Sequence, residues 1–157
     1  MGRRAVLWGL GLLLGAQPAA AAPAALAGYY RLPLADQSGA LILAVAPCGA
    51  DRYCGRLVDL GPLPAKDLRN PSREAQSRAL CGLDILSFSD DDKLQGTFYD
   101  PRTGDQKAVG LWIGPGGEIH IDGRAGWPVV SRVYSRPEIW QKVAGPQTAC
   151  DAARPVS

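Results

Sequence analysis

The chain has 157 residues, which is enough for one globular domain but short for two. Its 17 Lys and Arg residues and 15 Asp and Glu residues give a net charge of +2. Two of the basic residues, Arg3 and Arg4, lie in a segment that we expect to be removed, which leaves 15 against 15. The mature chain therefore lacks the basic excess that binding to nucleic acid or to an anionic membrane surface requires.

The N-terminal segment has the pattern of a secretory signal peptide. Arg3 and Arg4 precede an uncharged apolar stretch at residues 5–16, and an A-x-A cleavage site ends at Ala22. A second cleavage site ends at Ala27. The alternative is an uncleaved anchor, but the apolar stretch is shorter than the roughly 20 residues of a spanning helix. We predict a signal peptide at residues 1–22, one domain at residues 23–157, a periplasmic or secreted location, and no transmembrane segment after cleavage.

The first half of the mature chain predicts three short strands and one long loop. The strands lie at residues 28–32, 40–46 and 53–60, and residues 47–52 break the second from the third. Residues 40–46 are apolar on both faces, which is typical of a strand that lines an apolar interior. Residues 61–79 have no strand or helix period, apart from one helical turn that Ser72 begins. A loop of this length in a small domain is usually functional or disordered.

The second half predicts a meander of hairpins. Strands are expected at residues 83–88, 94–100, 106–113, 118–124 and 129–136, and residues 137–143 either extend the last strand or add a short helical turn. Ile119 and Ile121 alternate with the polar residues around them, as in a strand with one buried face. About eight short strands with tight turns predict an all-β fold, a small antiparallel up-and-down barrel with one long loop.

Several motifs resemble those of an exported bacterial family catalogued as domain of unknown function 2147. They are D-L-R-N-P at residues 67–71, L-C-G-L-D-I-L at 80–86 and G-T-F-Y-D-P-R-T-G at 96–104, with weaker similarity at 48–58 and 121–126. The resemblance covers about residues 28–143 and implies a lipocalin-like β-barrel in the cell envelope, with no implied activity. Two positions depart from the family pattern: Tyr30 stands where Trp is usual, and Lys142 where Arg is usual.

The four cysteines indicate two disulfides in an exported domain, for which three connectivities exist. They are Cys48, Cys54, Cys81 and Cys150. A zinc site is the alternative, but the chain has no C-x-x-C pair and a single histidine. Cys48 and Cys54 flank a predicted hairpin turn, where cross-strand distances suit a disulfide. We therefore predict Cys48–Cys54, and with it Cys81–Cys150, which would tie the C-terminal tail to the barrel.

Catalytic and metal-binding signatures are missing from the sequence. There is no nucleophile elbow, zinc-protease motif, phosphate loop or dinucleotide fingerprint. His120 lies between two acidic residues, where it is expected to be solvated or ion-paired. The acidic tip at residues 90–92 lacks the glycine and the closing Glu of a calcium loop. We predict no metal, no cofactor and no established catalytic residue, and whether the protein is an enzyme stays open.

The best polar group consists of Asp67, Asn70, Asp100 and Arg102, with Arg124 as a further candidate for contact with a ligand. The structural interpretation is that these side chains bond backbone amides and one another in loops. The functional interpretation is that they meet at a barrel mouth, with two carboxylates as acid and base.

Our leading functional hypothesis is binding of a small apolar or amphipathic ligand. The alternatives are a structural or protein-interaction barrel and a carboxylate-based hydrolase. A hollow interior would favour the first, and a packed one the second. The candidate interior residues are Leu41, Leu43, Ile85, Phe98, Ile119 and Ile121.

Overall fold

The computed structural model describes residues 26–34, 38–90, 94–123, 137–146 and 149–150, and in them the chain forms a closed antiparallel barrel. Each strand pairs with the next along the chain, and the last pairs with the first. The eight strands are β1 Gly28–Pro33, β2 Ala40–Gly49, β3 Arg52–Asp59, β4 Asp84–Ser89, β5 Gln95–Asp100, β6 Asp105–Ile113, β7 Ile119–Asp122 and β8 Glu138–Val143. The predicted up-and-down barrel is confirmed.

The barrel closes through the segment that the sequence left undecided between strand and helical turn. Residues 138–143 form β8, which pairs with both β7 and β1. The predicted strand at residues 129–136, the signal peptide at residues 1–22 and most of the acidic tip lie outside the described residues.

One face of each strand fills the interior, as the alternation of apolar and polar residues predicts. Leu41 and Leu43 are fully buried, and all six candidate interior residues are at most 5% exposed. Large rings occupy the centre: Phe98 meets the edge of Trp140 at 5.2 Å between centroids, and Tyr53 stacks on Phe88 at 5.5 Å. Side chains from all eight strands therefore pack the barrel, as in small barrels that hold no interior ligand.

The seam between β1 and β8 accommodates both departures from the family pattern. Tyr30 is paired with Lys142 across the seam, and the Lys142 ammonium lies 5.8 Å from the centre of the Tyr30 ring. The Tyr30 hydroxyl donates a hydrogen bond of 3.0 Å to the carbonyl oxygen of Leu26, a buried residue that precedes β1. A tyrosine thus fills this buried position and satisfies its polar end at the same time.

The ribbon of β2 and β3 is longer than the sequence predicts. The second strand does not break at residue 47: Pro47 pairs with Tyr53, and Gly49 pairs with Arg52. The extension is exposed and lies at the end of the ribbon, where a proline without an N–H group is tolerated. Cys48 and Cys54 form a disulfide within it, with a Cα–Cα distance of 5.6 Å.

The connection from β3 to β4 is the long loop of residues 61–79. It contains one short 3₁₀ turn, Ala75–Ser77, whose first amide donates to the Ser72 hydroxyl oxygen at 3.5 Å. An isolated bridge pairs Lys66 with Ala79, so that the loop closes on itself. The loop is attached to the barrel through side chains, since Asp67 and Asn70 of the loop form hydrogen bonds with Tyr99 of β5.

Candidate ligand cleft at the barrel mouth

Three connections, in the residues that the structure describes, lie together at one end of the barrel, because alternate connections of an antiparallel meander lie at the same end. They are the connections after β1, β3 and β5, of which the long loop is the second, and the start of β8 lies beside them. A cleft of about 1030 Å³ lies between these segments. Its lining residues are Leu34, Ser38, Pro62, Leu63, Pro64, Lys66, Leu68, Arg69, Leu80, Asp100, Pro101, Arg102, Thr103 and Glu138. The volume is at the upper end of the range for small-molecule sites, roughly 300–1,000 Å³.

Arg102 lies at the floor of this cleft and joins three strands. Its Nε donates to Asp100 Oδ1 at 2.7 Å, and its Nη2 donates to Asp100 Oδ2 at 2.7 Å. The guanidinium also donates to both carboxylate oxygens of Glu138, each at 3.2 Å, and to the Pro33 carbonyl oxygen at 2.9 Å. One side chain therefore connects the end of β5 with the end of β1 and the start of β8.

These bonds use the whole donor capacity of Arg102. A guanidinium has five N–H groups, and the five side-chain bonds to Asp100, Glu138 and Pro33 employ them all. Burial lowers the pKa of Arg102, but the hydrogen bonds to Asp100 and Glu138 outweigh that effect and raise it further above its ordinary value. Arg102 therefore supports the floor of the cleft and has no N–H group left for a ligand carboxylate.

Asp67 is the centre of a second polar cluster, which fixes the long loop. Its carboxylate is fully buried and accepts hydrogen bonds from Arg78 Nε at 2.8 Å, from Asn70 Nδ2 at 3.2 Å and from the Tyr99 hydroxyl. Arg78 also pairs with it through Nη2 at 2.7 Å and lies over the ring of Tyr99, 4.9 Å from its centre. The predicted partners Asp67 and Asn70 are thus together, on a scaffold that Arg78 and Tyr99 complete.

The two candidate carboxylates belong to different clusters. Asp67 pairs with Arg78, and Asp100 pairs with Arg102. Asp100 lines the cleft, whereas Asn70 and Tyr99, the partners of Asp67, line a smaller pocket of about 360 Å³ beside β4 and β5. Each carboxylate is bound by its own arginine, so the arrangement does not support an acid–base pair acting on one substrate.

Gly104 explains why the D-P-R-T-G turn ends in glycine. Its φ is +83°, which favours glycine, and a Cβ there would lie 2.0 Å from the carbonyl oxygen of Arg69. Its amide donates to the Asp100 carbonyl oxygen at 2.8 Å. The long loop therefore passes directly over the β5–β6 turn, and this close approach forms one side of the cleft.

The cationic residues at the rim of the cleft are Lys66 and Arg69, which sequence reasoning missed. Both are exposed, both line the cleft, and neither has an ion pair among the described residues. Leu68 lies between them and is 57% exposed. The sequence K-D-L-R at residues 66–69 contained a local indication of this exposure. Where Asp67 is buried, its neighbours Lys66, Leu68 and Arg69 face the solvent.

The remaining site candidates lie elsewhere. His120 Nε2 lies 3.2 Å from Glu118 Oε1, within hydrogen-bond distance, and the His120 ring stacks on Trp112 on the outer face of β6 and β7. The Glu118 pKa is lowered by backbone amide donation and by His120. Arg124 lies outside the described residues.

The second predicted disulfide is not formed in this structure: Cys81 and Cys150 are free cysteines. Their thiols are nevertheless in hydrogen-bond contact, and burial, followed by the contact with Cys81, raises the pKa of Cys150 to about 12. The predicted proximity of the two residues is therefore present without the covalent bond.

Comparison with known proteins agrees with this fold. A family model described as "Uncharacterized protein conserved in bacteria (DUF2147)" matches residues 30–142. The chain belongs to this family. No curated protein matches the chain significantly. Among solved structures, the chain is similar to protein HP1028 from the human pathogen Helicobacter pylori, which is described as belonging to the lipocalin family. The TM-score is 0.55 at 16% identity, over 75% of this chain and 82% of the other.

The DUF2147 match includes residues of all eight strands and leaves out only Gly28, Tyr29 and Val143 at the ends of the barrel. It begins at Tyr30 and ends at Lys142, two residues that pair with each other across the closing seam. The matched region of this chain therefore contains both strands of the closing seam and the residues that line the cleft. No helix in the described part of the chain is long and apolar enough to cross a membrane.

Proposed function

We propose that this DUF2147 protein is an exported cell-envelope barrel that binds a small amphipathic anion in the cleft at its mouth. The observation that carries the proposal is the cleft itself, an opening of about 1030 Å³ over a packed barrel. A lipocalin-like fold is compatible with binding of small ligands. Binding inside the barrel, which a hollow interior would have favoured, is not supported, because buried side chains occupy the interior. The proposal therefore places the ligand in the cleft at the mouth instead.

The apolar part of the ligand would lie against the walls of the cleft. Leu34, Leu63, Leu68 and Leu80 line the cleft; Leu68 is 57% exposed, whereas Leu80 is almost fully buried behind the wall. Pro62, Pro64 and Pro101 make much of this wall rigid. Removing about 300 Å² of apolar ligand surface from water would contribute roughly 7 kcal/mol, from which the loss of translational and rotational freedom must be subtracted.

The anionic part of the ligand would lie at the rim. Arg102 has no free N–H group, whereas the ammonium of Lys66 and the guanidinium of Arg69 are exposed beside the opening. The floor contains two carboxylates, those of Asp100 and Glu138, but only one cation, Arg102. A negatively charged ligand group would therefore be repelled from the floor. Charge therefore orients the ligand with its apolar end inwards.

Two observations support export. The Cys48–Cys54 disulfide is typical of proteins from oxidising compartments. The N-terminal residues carry the signal-peptide pattern of two arginines, an apolar stretch and an A-x-A site.

The test is saturable binding of a fluorescent fatty-acid analogue, 11-(dansylamino)undecanoic acid, to the purified mature protein. The double variant Lys66→Glu and Arg69→Glu should weaken binding about tenfold or more, since it replaces two attractive charges by two repulsive ones. Lys107→Glu, a charge reversal at an exposed position on β6, is the control and should change the affinity less than about twofold.

A structural or protein-interaction barrel is the second candidate, and one surface favours it. Trp112 and Ile139 are 43% and 40% exposed, and both are register partners of His120. Trp112 on β6 and Ile139 on β8 flank His120 on β7, so that the three side chains form a row across neighbouring strands. If the probe shows no saturable binding and native mass spectrometry of protein from an envelope extract finds no retained small molecule, this second function replaces the first.

A further inference from the structure

The C-terminal tail is bound to an irregularity in β3. Ile42 pairs with Asp59 and Leu43 pairs with Leu57, so that Val58 is an extra residue opposite β2. A bulge of this kind leaves a backbone group out of the ladder. The carbonyl oxygen of Val58 accepts a hydrogen bond from the amide of Cys150 at 2.6 Å. The bulge therefore positions Cys150 on the barrel wall.

Cys81 approaches the same part of β3 from the other direction along the chain. The amide of Gly82 donates to the carbonyl oxygen of Leu57 at 2.9 Å, one residue before the bulge. On its other side, the amide of Leu80 donates to the carbonyl oxygen of Ala65 at 2.9 Å. Cys81 is therefore held between the barrel and the long loop, directly after a residue that lines the ligand cleft.

The two cysteines share a recess that adjoins the cleft. A pocket of about 450 Å³ is lined by Cys81 and Cys150 together with Leu63 and Ala65 of the long loop. Leu63 also lines the cleft. The two pockets therefore adjoin at the Leu63 side chain, and both cysteines are only partly buried.

We propose that Cys81 and Cys150 are a reversible dithiol–disulfide site that controls the rigidity of the wall of the cleft. Oxidation would join the tail to residue 81 by a covalent bond next to Leu80 and Leu63. The regulatory part of this proposal rests on the proposed ligand function, whereas the disulfide itself does not.

The chemistry needs an external disulfide, such as the disulfide of a thiol–disulfide oxidoreductase or oxidised glutathione. The thiolate of Cys81 attacks one sulfur of that disulfide, and the first external thiol leaves. Cys150 then attacks the sulfur of Cys81, its proton passes to the second leaving thiol, and the intramolecular disulfide forms. Two protein thiols are oxidised and one external disulfide is reduced to two thiols, so the electrons balance.

The order of these steps follows from the surroundings of Cys150. Burial and the neighbouring Cys81 raise its pKa to about 12, and little of it is thiolate at neutral pH. Cys150 is therefore a poor initial nucleophile, and its close contact with Cys81 is what allows it to complete the exchange.

The consequence for the cleft is pre-organisation. In the reduced protein, hydrogen bonds join Gly82 and Cys150 to β3 and Leu80 packs in the core, but no covalent bond joins residue 81 to Cys150. The wall then keeps more conformational freedom than a cross-linked wall would have. In the oxidised protein, the wall formed by Leu63 and Leu80 is fixed in its binding position. A ligand then loses less conformational freedom of the protein on binding, and we expect the oxidised form to bind about threefold or more tightly.

The experiment equilibrates the mature protein with a series of glutathione redox buffers. Peptide mapping without reduction should detect a Cys81–Cys150 fragment that disappears as the buffer becomes more reducing. Cys150→Ser must abolish that fragment, while Cys48–Cys54 serves as the internal reference in every sample. Hydrogen exchange of residues 62–82 and the affinity for 11-(dansylamino)undecanoic acid are measured on the oxidised and reduced forms.

Slower exchange in residues 62–82 and tighter probe binding after oxidation, neither of which occurs in Cys150→Ser, would support the proposal. Failure to form the fragment in the most oxidising buffer would overturn it, and so would a fragment that leaves both exchange and affinity unchanged. If neither form binds the probe, the proposed ligand function fails; slower exchange on oxidation would still support the dithiol site, and unchanged exchange would overturn it as well.

Discussion

Asp67 provides the sharpest test of how the mouth of the barrel is built, and the perturbation is Asp67→Ala. Its carboxylate is fully buried and accepts bonds from Arg78, Asn70 and Tyr99. These three partners come from the long loop and from β5. Truncation to alanine therefore removes the shared acceptor that connects the loop to the sheet.

The expected loss of stability can be worked out from the partners. Arg78 is 39% exposed at its side chain, so water can replace much of its interaction with Asp67. Asn70 keeps its bond to the Tyr99 oxygen at 3.1 Å. The main loss is that of the hydrogen bonds from Tyr99 and Asn70 to the charged carboxylate. Hydrogen bonds to charged groups are of a strength that gives about 2–3 kcal/mol of stability in total for this loss. For a domain of this size, that change corresponds to a decrease in Tm of roughly 6–15 °C.

The assay is thermal unfolding by circular dichroism at neutral pH, with Asp84→Ala as the matched control. Asp84 also pairs with an arginine, Arg56 at 2.8 Å, but the two side chains are 41% and 58% exposed. The control should therefore lose less than about 1 kcal/mol. If Asp67→Ala melts within about 2 °C of the control, the structural interpretation of Asp67 is refuted. Loss of probe binding with an unchanged Tm would instead assign Asp67 to the ligand site.

Two further predictions concern titration and processing. Burial raises the pKa of Tyr30, Tyr53 and Tyr99 above the ordinary value of 10.0. A raised pKa means that the folded state favours the protonated tyrosines, so this stabilisation is complete below pH 10 and is lost as the pH rises through the pKa values of the folded protein. Ultraviolet titration should find three tyrosines that ionise only near alkaline unfolding. Ionisation of all tyrosines near pH 10 in folded protein would contradict this. Leu26 is 3% exposed and accepts a bond from Tyr30, so cleavage after Ala27 would remove roughly 2–3 kcal/mol of stabilisation; N-terminal sequencing of the exported protein should find Pro23, and a start at Gly28 would contradict this reasoning.

Much of the barrel could be predicted because its strands are short, local and amphipathic. In β7, the alternation of Ile119 and Ile121 with polar neighbours is sufficient to assign the strand and its buried face. The ribbon of β2 and β3 could not be assigned to its full length, since Pro47 and Gly49 are strand breakers by propensity. They are tolerated here because the extension is exposed at the end of the ribbon and is closed by the Cys48–Cys54 disulfide.

The candidate site was predicted less completely. Its residues come from distant parts of the sequence and become neighbours at the barrel mouth only when the sheet closes. Asp100 and Arg102 are two residues apart and could be paired from the sequence. The third partner, Glu138, is 36 residues away and reaches Arg102 only because β8 closes the barrel. Arg78 and Tyr99 are likewise brought to Asp67 from distances of 11 and 32 residues. Without these partners, the sequence could not show that both arginine–carboxylate pairs are parts of the scaffold.

The saturation of Arg102 changes which chemistry the mouth of the barrel can perform. An arginine at the floor of a cleft usually suggests an anchor for a carboxylate or phosphate, but here all five N–H groups bind the protein itself. The floor has two carboxylates, Asp100 and Glu138, for one guanidinium. A ligand anion of the kind we propose would be repelled from the floor and attracted to Lys66 and Arg69 at the rim. The packed interior excludes the apolar end from the barrel as well. Under the proposed function, a ligand would therefore lie across the mouth beside the long loop, and the position of that loop would affect its affinity.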